Sequence, residues 1–276
     1  MFHLLAYTGN AGIAAVNFDL TAAFDAEFSQ RNGHYIFTER YKLINAIYLG
    51  TSITAIATIC PTWNAIGRMQ SGLTQGVGAP ASNSYTDLKL GFEAQLPVNE
   101  EVQVQMSNSA GAAAQNTAVL FVATMQHSNK LPMPAPPGIN IRVAVSCSVT
   151  AVANAWAGPA PITFAQSLRG GVYSVVGMDG GSATLVASRL VFPRNPLYNG
   201  RRLRPGCILD TPFTNSPPQY GVSQARLFGE FGRFHTFEPP QIEVFANAAG
   251  AINPSYLLDL VYLGDYDDPL QGFTAA

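Results

Sequence analysis

Residues 102–122 read VQVQMSNSAGAAAQNTAVLFV, and residues 242–262 read IEVFANAAGAINPSYLLDLVY. Each is a short run of alternating apolar and polar residues, then a small-residue Asn/Ala/Gly turn, then a longer apolar run. Alternation with a period of two sends successive side chains to opposite faces, the mark of a half-buried strand. Val102 falls on Ile242 and Val104 on Val244 at an offset of 140, and Gly111 falls on Gly250 at an offset of 139. Upstream, SITAIATICPTWN (52–64) echoes SATLVASRLVFPRN (182–195), with Ser52 on Ser182, Thr54 on Thr184 and Pro61 on Pro193. Gly33-His34-Tyr35 also echoes Gly171-Val172-Tyr173. A repeat near half of a 276-residue chain predicts two similar β domains in tandem.

Strand-like runs are expected at His34–Leu49, Ile53–Ile59, residues 86–97, Arg142–Val152, Val172–Val176, Ala183–Phe192, Arg226–Phe231 and Tyr256–Leu263. The 25 glycines and 19 prolines supply the punctuation for many short strands and long loops. The best helical pattern is Leu20–Gln30, where Phe24 and Phe28 lie four apart and Thr21 could cap the start. Lys130–Gly138 holds Pro132, Pro134, Pro136 and Pro137, a composition that favours extended, semi-rigid backbone. The expected organisation is therefore an N-terminal domain over 1–129, a Pro-rich linker over 130–138 and a C-terminal domain over 139–276. Two all-β domains of this size fit antiparallel sandwiches of the immunoglobulin-like or jelly-roll kind, or small barrels. The immunoglobulin pattern lacks its Cys…Trp…Cys spacing, whereas each half has room for the eight strands and long connections of a jelly roll.

Composition narrows the function. Charged residues make up 12% of the chain, about half the roughly 25% usual for soluble domains. So little charge suggests that much of the surface is covered by other chains, because interface cores are depleted of charge. A net charge of −2 gives no drive toward nucleic acid or an anionic membrane. The first basic residue is Arg31, so the start of the chain lacks the positive region of a secretory leader. The uncharged stretches 43–67, 102–129 and 143–168 are long enough to span a bilayer, but their Asn, Gln, Ser, Gly and Pro content argues against it. Cys60, Cys147 and Cys207 are isolated, without metal-ligand spacing, and read as buried thiols.

Residues that could carry chemistry are few. His3, His34, His127 and His235 are scattered, with none in a metal-binding or catalytic spacing. Gly72–Gly76 has the spacing of a nucleophile elbow but places Thr74 where the serine belongs, and Gly76-Val77-Gly78 runs into Ala79-Pro80 rather than a helix. Asp265, Asp267 and Asp268, with Asp259 just upstream, crowd the C-terminal region. Calcium prefers such clustered carboxylates, so a subunit-bridging calcium is the one cofactor considered; no other is expected. Arg194, Arg201, Arg202 and Arg204 form the basic cluster, whose guanidinium forks suit a carboxylate or phosphate partner. They are candidates for an inter-subunit contact. Trp63 and Trp156 could stack on sugars or pack in the core.

With these features in place, the chain resembles the double jelly-roll major capsid proteins of tailless, icosahedral, membrane-containing viruses, the bacteriophage type in particular. The resemblance rests on the paired strand–turn–strand segments (102–122 and 242–262), the proline-rich joint at 130–138, the low charge and the length. It implies two tandem eight-stranded jelly rolls with few short helices, and a non-enzymatic structural protein. It also implies homotrimers with lateral shell contacts, a separate vertex (penton) protein, minor capsid proteins and an internal membrane beneath the shell. No sequence-specific nucleic-acid binding is implied. The chain would be made in the host cytoplasm without a signal peptide and would reside in the virion. The alternative from another class is a two-domain β-sandwich binding module, such as a viral spike or a carbohydrate-binding protein.

Overall fold

The computed structural model describes residues 2–11, 18–50, 55–59, 73–77, 86–87, 94–108, 114–124, 137–182, 185–193, 204–208, 230–246 and 248–265. The described residues form strands, turns and irregular backbone, with no helix among them. The chain divides into two compact units, Leu4–Gln126 and His127–Ala276, the latter joined by Met1–His3. Residues 130–136 of the proline-rich segment lie outside the described residues.

In the N-terminal unit the strands are β1 (Phe2–Ala11), β2 (Phe18–Asp19), β3 (Thr21–Ala22), β4 (Ser29–Arg31), β5 (His34–Ile36), β6 (Tyr41–Gly50), β7 (Ala55–Ile59), β8 (Leu73–Val77), β9 (Thr86–Asp87), β10 (Ala94–Gln95), β11 (Glu101–Val102), β12 (Val104–Asn108) and β13 (Ala114–Thr124). One sheet runs β10-β6-β13-β1-β3, with β9 also on β6. A second runs β2-β12-β7-β8, and a three-stranded sheet runs β11-β5-β4. In the C-terminal unit the strands are β14 (Ile139–Ser146), β15 (Val149–Ala151), β16 (Trp156–Pro161), β17 (Thr163–Phe164), β18 (Val172–Gly181), β19 (Leu185–Val191), β20 (Gly206–Ile208), β21 (Gly232–His235), β22 (Gln241–Ala246), β23 (Gly250–Ile252) and β24 (Ser255–Gly264). Here the sheets run β17-β14-β24-β18-β21 and β16-β22-β19-β20, with β15 paired to β23.

The two units repeat one strand order. Reversing the first C-terminal sheet to β21-β18-β24-β14-β17 lays it on β10-β6-β13-β1-β3. Likewise β16-β22-β19-β20 lays on β2-β12-β7-β8, and every equivalence preserves chain order. The quoted segments occupy matching places: β12 and β13 answer to β22 and β24. In neither unit do they close a hairpin. Each passes from one sheet to the other, and the residues aligned by the repeat, Val102 with Ile242 and Val104 with Val244, are all fully buried. The 52–64 and 182–195 echo supplies β7 and β19, which also match. The third echo does not: Gly33–Tyr35 leads into β5, whereas Gly171–Tyr173 opens β18, the counterpart of β6.

The core follows the alternation. In β24, Tyr256, Leu258 and Leu260 point inward and are at most 1% exposed, while Ser255 and Leu257 face out. All seven residues of β19 are buried. The two main C-terminal sheets meet through a buried 2.7 Å hydrogen bond between Ser188 Oγ on β19 and Tyr256 Oη on β24. Each fully buried Leu or Val contributes roughly 1.5–3 kcal/mol.

The helix expected over Leu20–Gln30 is absent. Asp25 Oδ1 accepts the Glu27 N–H at 2.9 Å and the Asp25 carbonyl accepts from Phe28 N at 3.3 Å, so the segment closes into a tight turn. An aspartate bonding to nearby backbone competes with the helical ladder. The donors before the turn go elsewhere, Ala22 N to Gly33 O and Ala23 N to Ala6 O. Phe28 is 5% exposed and joins Tyr35, Phe37 and Tyr41 in edge-on contacts, whereas Phe24 is 76% exposed, so the pair does not share a face. Two expected long strands are also broken. His34–Leu49 divides at Phe37–Arg40, and Arg142–Val152 divides at Cys147, where the Cys147 N–H turns to Pro254 O and the chain changes partner from β24 to β23.

Candidate functional site

The densest polar cluster among the described residues sits inside the C-terminal unit. Strands β19 and β22 pair with Arg189 directly opposite Glu243. Arg189 Nε donates to Glu243 Oε2 at 2.6 Å, with the two side chains 1% and 8% exposed. The Arg189 guanidinium carbon stands 3.9 Å from the Trp156 ring centre, and that ring meets Phe245 edge-on. A desolvated cation over an indole is worth about 2 kcal/mol. Arg204 Nη1 donates to both Glu243 oxygens at 3.1 Å. His3, fully buried, completes the cluster. Its Nδ1 accepts the Arg204 backbone N–H at 2.9 Å, and its Nε2 lies 3.2 Å from Arg189 Nη1.

Local backbone brings these groups together. Gly206 pairs with Arg189 in the β19–β20 ladder. A Cβ there would stand 2.0 Å from Ser188 O and 2.5 Å from Arg189 Cα, so β20 approaches this closely because residue 206 has no side chain. The Pro205 carbonyl accepts from Leu190 N at 2.7 Å, which fixes the chain beside Arg204. The result is a carboxylate, Glu243, that accepts from both Arg189 and Arg204.

Of the arginine candidates, the structure places Arg204 here, 12% exposed and bonded to Glu243. Arg194, Arg201 and Arg202 lie outside the described residues. Arg189 and Glu243 were not singled out by their sequence, and His3 stood there only as one of four scattered histidines. The available signal was a lone arginine in LVASRLV and a lone glutamate in IEVFA, charges isolated within strongly apolar strands.

Of the acidic candidates, Asp259 and Asp265 lie among the described residues, each paired with an arginine. Asp265 is exposed, accepts from Arg169 Nη2 at 3.0 Å and also from the Tyr262 hydroxyl. The Tyr262 hydrogen bond first, and then Arg169, holds its carboxyl below the usual aspartate range. Asp267 and Asp268 lie outside the described residues. Asp259 is held by Arg142 through two bonds of 2.6 and 2.9 Å. Among the described residues no three His, Cys, Asp or Glu side chains gather as a metal cage. Asp179 on β18 is 8% exposed, and burial pushes its carboxyl upward. The thiols of Cys147 and Cys207 are free and buried; burial raises Cys147 to about 11 and pushes Cys207 up as well. Cys60 lies outside the described residues.

A shallow cleft of about 320 Å³ opens between Phe164–Leu168 and Thr236. Phe237, 63% exposed, sits beside it with its ring centre 3.7 Å from that of His235. Trp63 lies outside the described residues. No helix among the described residues is long and apolar enough to cross a membrane.

No family model matches the chain, and no curated protein matches its sequence. Among solved structures it is similar to the major capsid protein P2 of bacteriophage PM2, with 7% identity and a TM-score of 0.23, over 97% of this chain and 99% of that one. Likeness at that score does not assign the chain to that protein's family.

Proposed function

We propose that the chain is a structural shell protein, a double jelly-roll major capsid protein that acts as a homotrimer and has no enzymatic activity. The observation that carries this reading is the repeated strand order. Each unit has two four-stranded cores, β1-β13-β6-β10 with β2-β12-β7-β8, and β14-β24-β18-β21 with β16-β22-β19-β20. Eight strands passing between two sheets in this way are the plan of a jelly roll. Two similar units per chain, repeated by a three-fold axis, give a six-lobed footprint that tiles a flat facet while using cyclic symmetry alone. A charged content of 12% suits a protein covered by its neighbours. On this reading the protein resides in a virion beside a vertex protein and minor capsid proteins, over an internal membrane, and binds no nucleic acid by sequence.

Light scattering of the purified chain, with electron micrographs of the same peak, tests the proposal. The expected result is a particle of about 88 kDa, three chains of 29.4 kDa, seen end-on as a six-lobed tile or assembled into shells. A stable monomer that never assembles overturns it. The cleft at Phe164–Leu168 and Thr236 with exposed Phe237 favours the second reading, a binding module, since an aromatic ring beside hydroxyl and amide groups suits a sugar. A glycan array decides that case: binding abolished by Phe237→Ala supports it.

A further inference from the structure

Strand β14 is paired along one side for its whole length and along the other only near its end. β24 pairs with it from Ile139 to Ser146. On the opposite side β17 pairs with Val145 and Ser146, and Ala165 N donates to Ala144 O at 2.9 Å. From Ile139 to Val143, no strand among the described residues lies on that side. Two bonds fix where each backbone group points. Cys147 N donates to Pro254 O, on the β24 side, whereas Ala144 O accepts on the β17 side. Along an antiparallel strand these groups alternate between the two neighbours. Ile139, Ile141 and Val143 therefore bond toward β24, and the N–H and C=O of Asn140 and Arg142 point to the open edge.

Exposed edges are commonly blunted by a charge or a proline. Here the charge is turned away: Arg142 reaches back across the sheet to Asp259 through bonds of 2.6 and 2.9 Å. Pro136 and Pro137 precede the strand in sequence and do not interrupt it. Ile139, at its start, is 66% exposed. In the N-terminal unit β1 holds the same place, where Ala23 N donates to Ala6 O as Ala165 N does to Ala144 O. There Leu4, Leu5 and Ala6 are fully buried.

We propose that Ile139–Val143 is a docking edge for the same strand of a second copy, paired antiparallel about a two-fold axis at Ile141. This register sets Asn140 opposite Arg142 of the second copy, and Arg142 opposite the second copy's Asn140. Every edge-facing N–H and C=O of the stretch then meets a partner, and Ile139 is covered by Val143 of the second copy. An axis at Arg142 would set two arginines face to face, which is destabilising. An axis at Asn140 would run the pairing past the start of the strand. The contact is isologous, the same patch used twice. It does not rest on the three-fold ring; in a shell it would join chains of neighbouring trimers.

Cysteine cross-linking of the full chain tests the pairing. In this register Ile141 faces its own copy as a non-hydrogen-bonded pair, with Cα atoms about 4.5 Å apart, within the span of a disulfide. Two copies of residue 139 lie roughly 13 Å apart along the strands, too far to bridge. Under mild oxidation Ile141→Cys is expected to give a disulfide-linked dimer, and Ile139→Cys, at a more exposed position, none above the wild-type level. Adding Asn140→Pro to Ile141→Cys deletes an N–H that makes no bond to β24, and should abolish the link. No link at 141, equal links at 139 and 141, or a link that survives the proline overturns the proposal. Should the proline variant fail to fold, hydrogen exchange of the wild type takes its place. The Asn140 and Arg142 amides should gain protection as protein concentration rises, while the Ile141 amide stays protected by β24 throughout. Exchange at Asn140 and Arg142 that ignores concentration overturns the pairing. Trimers in light scattering without the link sink this contact alone, and a link without trimers sinks the ring alone.

Discussion

Two arginine–carboxylate pairs in the C-terminal unit share one Nε···O distance and differ in surroundings. Arg142 opposes Asp259 across β14 and β24, and Arg189 opposes Glu243 across β19 and β22. Each has an Nε···O distance of 2.6 Å. The side chains of the first pair are 50% and 27% exposed, and those of the second 1% and 8%. Distance therefore says nothing about which pair matters for stability. In water the attraction is screened and ordering two long side chains offsets much of it. Inside, the charges cannot return to solvent without disrupting the strands, so losing one partner leaves the other stranded.

The largest expected effect follows directly. Glu243→Gln removes the carboxylate shared by Arg189 and Arg204, and should destabilise the C-terminal unit by about 3–5 kcal/mol. Urea unfolding followed by tryptophan fluorescence measures it, since Trp156 lies under Arg189. A loss below about 1 kcal/mol would place this pair with the exposed kind and dissolve the contrast.

The next effect asks whether close strand approach is what keeps the buried pair dry. Gly206→Ala puts a methyl group 2.0 Å from Ser188 O, a backbone atom that cannot swing aside. β20 must shift outward, at a cost of roughly 1–3 kcal/mol. The same unfolding assay should show the loss. No change would mean that β20 already has slack and that something else excludes water from Arg189.

How much of this was legible in the sequence divides along the same line. Strands announce themselves by local alternation, so the segments at 102–122 and 242–262 led to equivalent strands in both units. The buried cluster depends on register and on contacts between residues far apart in the chain. His3 and Arg189 are 186 positions apart, and nothing local marks them as neighbours. Leu20–Gln30 misled for a related reason. The spacing of Phe24 and Phe28 satisfies a helical face, but the Asp25 side chain closes a turn that hydropathy does not register. The match of Gly33–Tyr35 to Gly171–Tyr173 was a likeness of composition, since those strands hold different places in their sheets.

A third test uses pH. Asp179 lies on the sheet of the exposed pair, in register with Leu257, and burial raises its carboxyl above the ordinary value, with Asp259 adding a smaller push. A carboxyl with a raised folded-state pKa binds its proton more tightly when folded than when unfolded. Stability is therefore gained as pH falls through the folded value toward the unfolded one, and the charged form is a burden above that window. Asp179→Asn should be more stable than the wild type at neutral pH, with the difference shrinking as pH falls through the same window. An Asn variant less stable at pH 7 would mean that the charged carboxylate is favoured where it stands.

The smallest effect belongs to the exposed pair, and it calibrates the others. A double-mutant cycle on Arg142→Ala and Asp259→Asn isolates their coupling from what each side chain does alone. With Arg142 half exposed, the expected coupling is about 0.2–1 kcal/mol, falling as salt is raised. The two-point contact of Arg142 with Asp259 argues for the upper part of that range, because a bidentate fork holds its geometry better than a single bond. Gly177 acts in the same direction. A Cβ at that position would lie 2.7 Å from Asp259 Oδ2, so the missing side chain leaves the carboxylate room to lie across β18. A coupling as large as the Glu243→Gln loss would show that this face is shielded in solution by a neighbouring chain. Salt would then leave the coupling nearly unchanged, which separates a covered surface from an unusually good exposed pair.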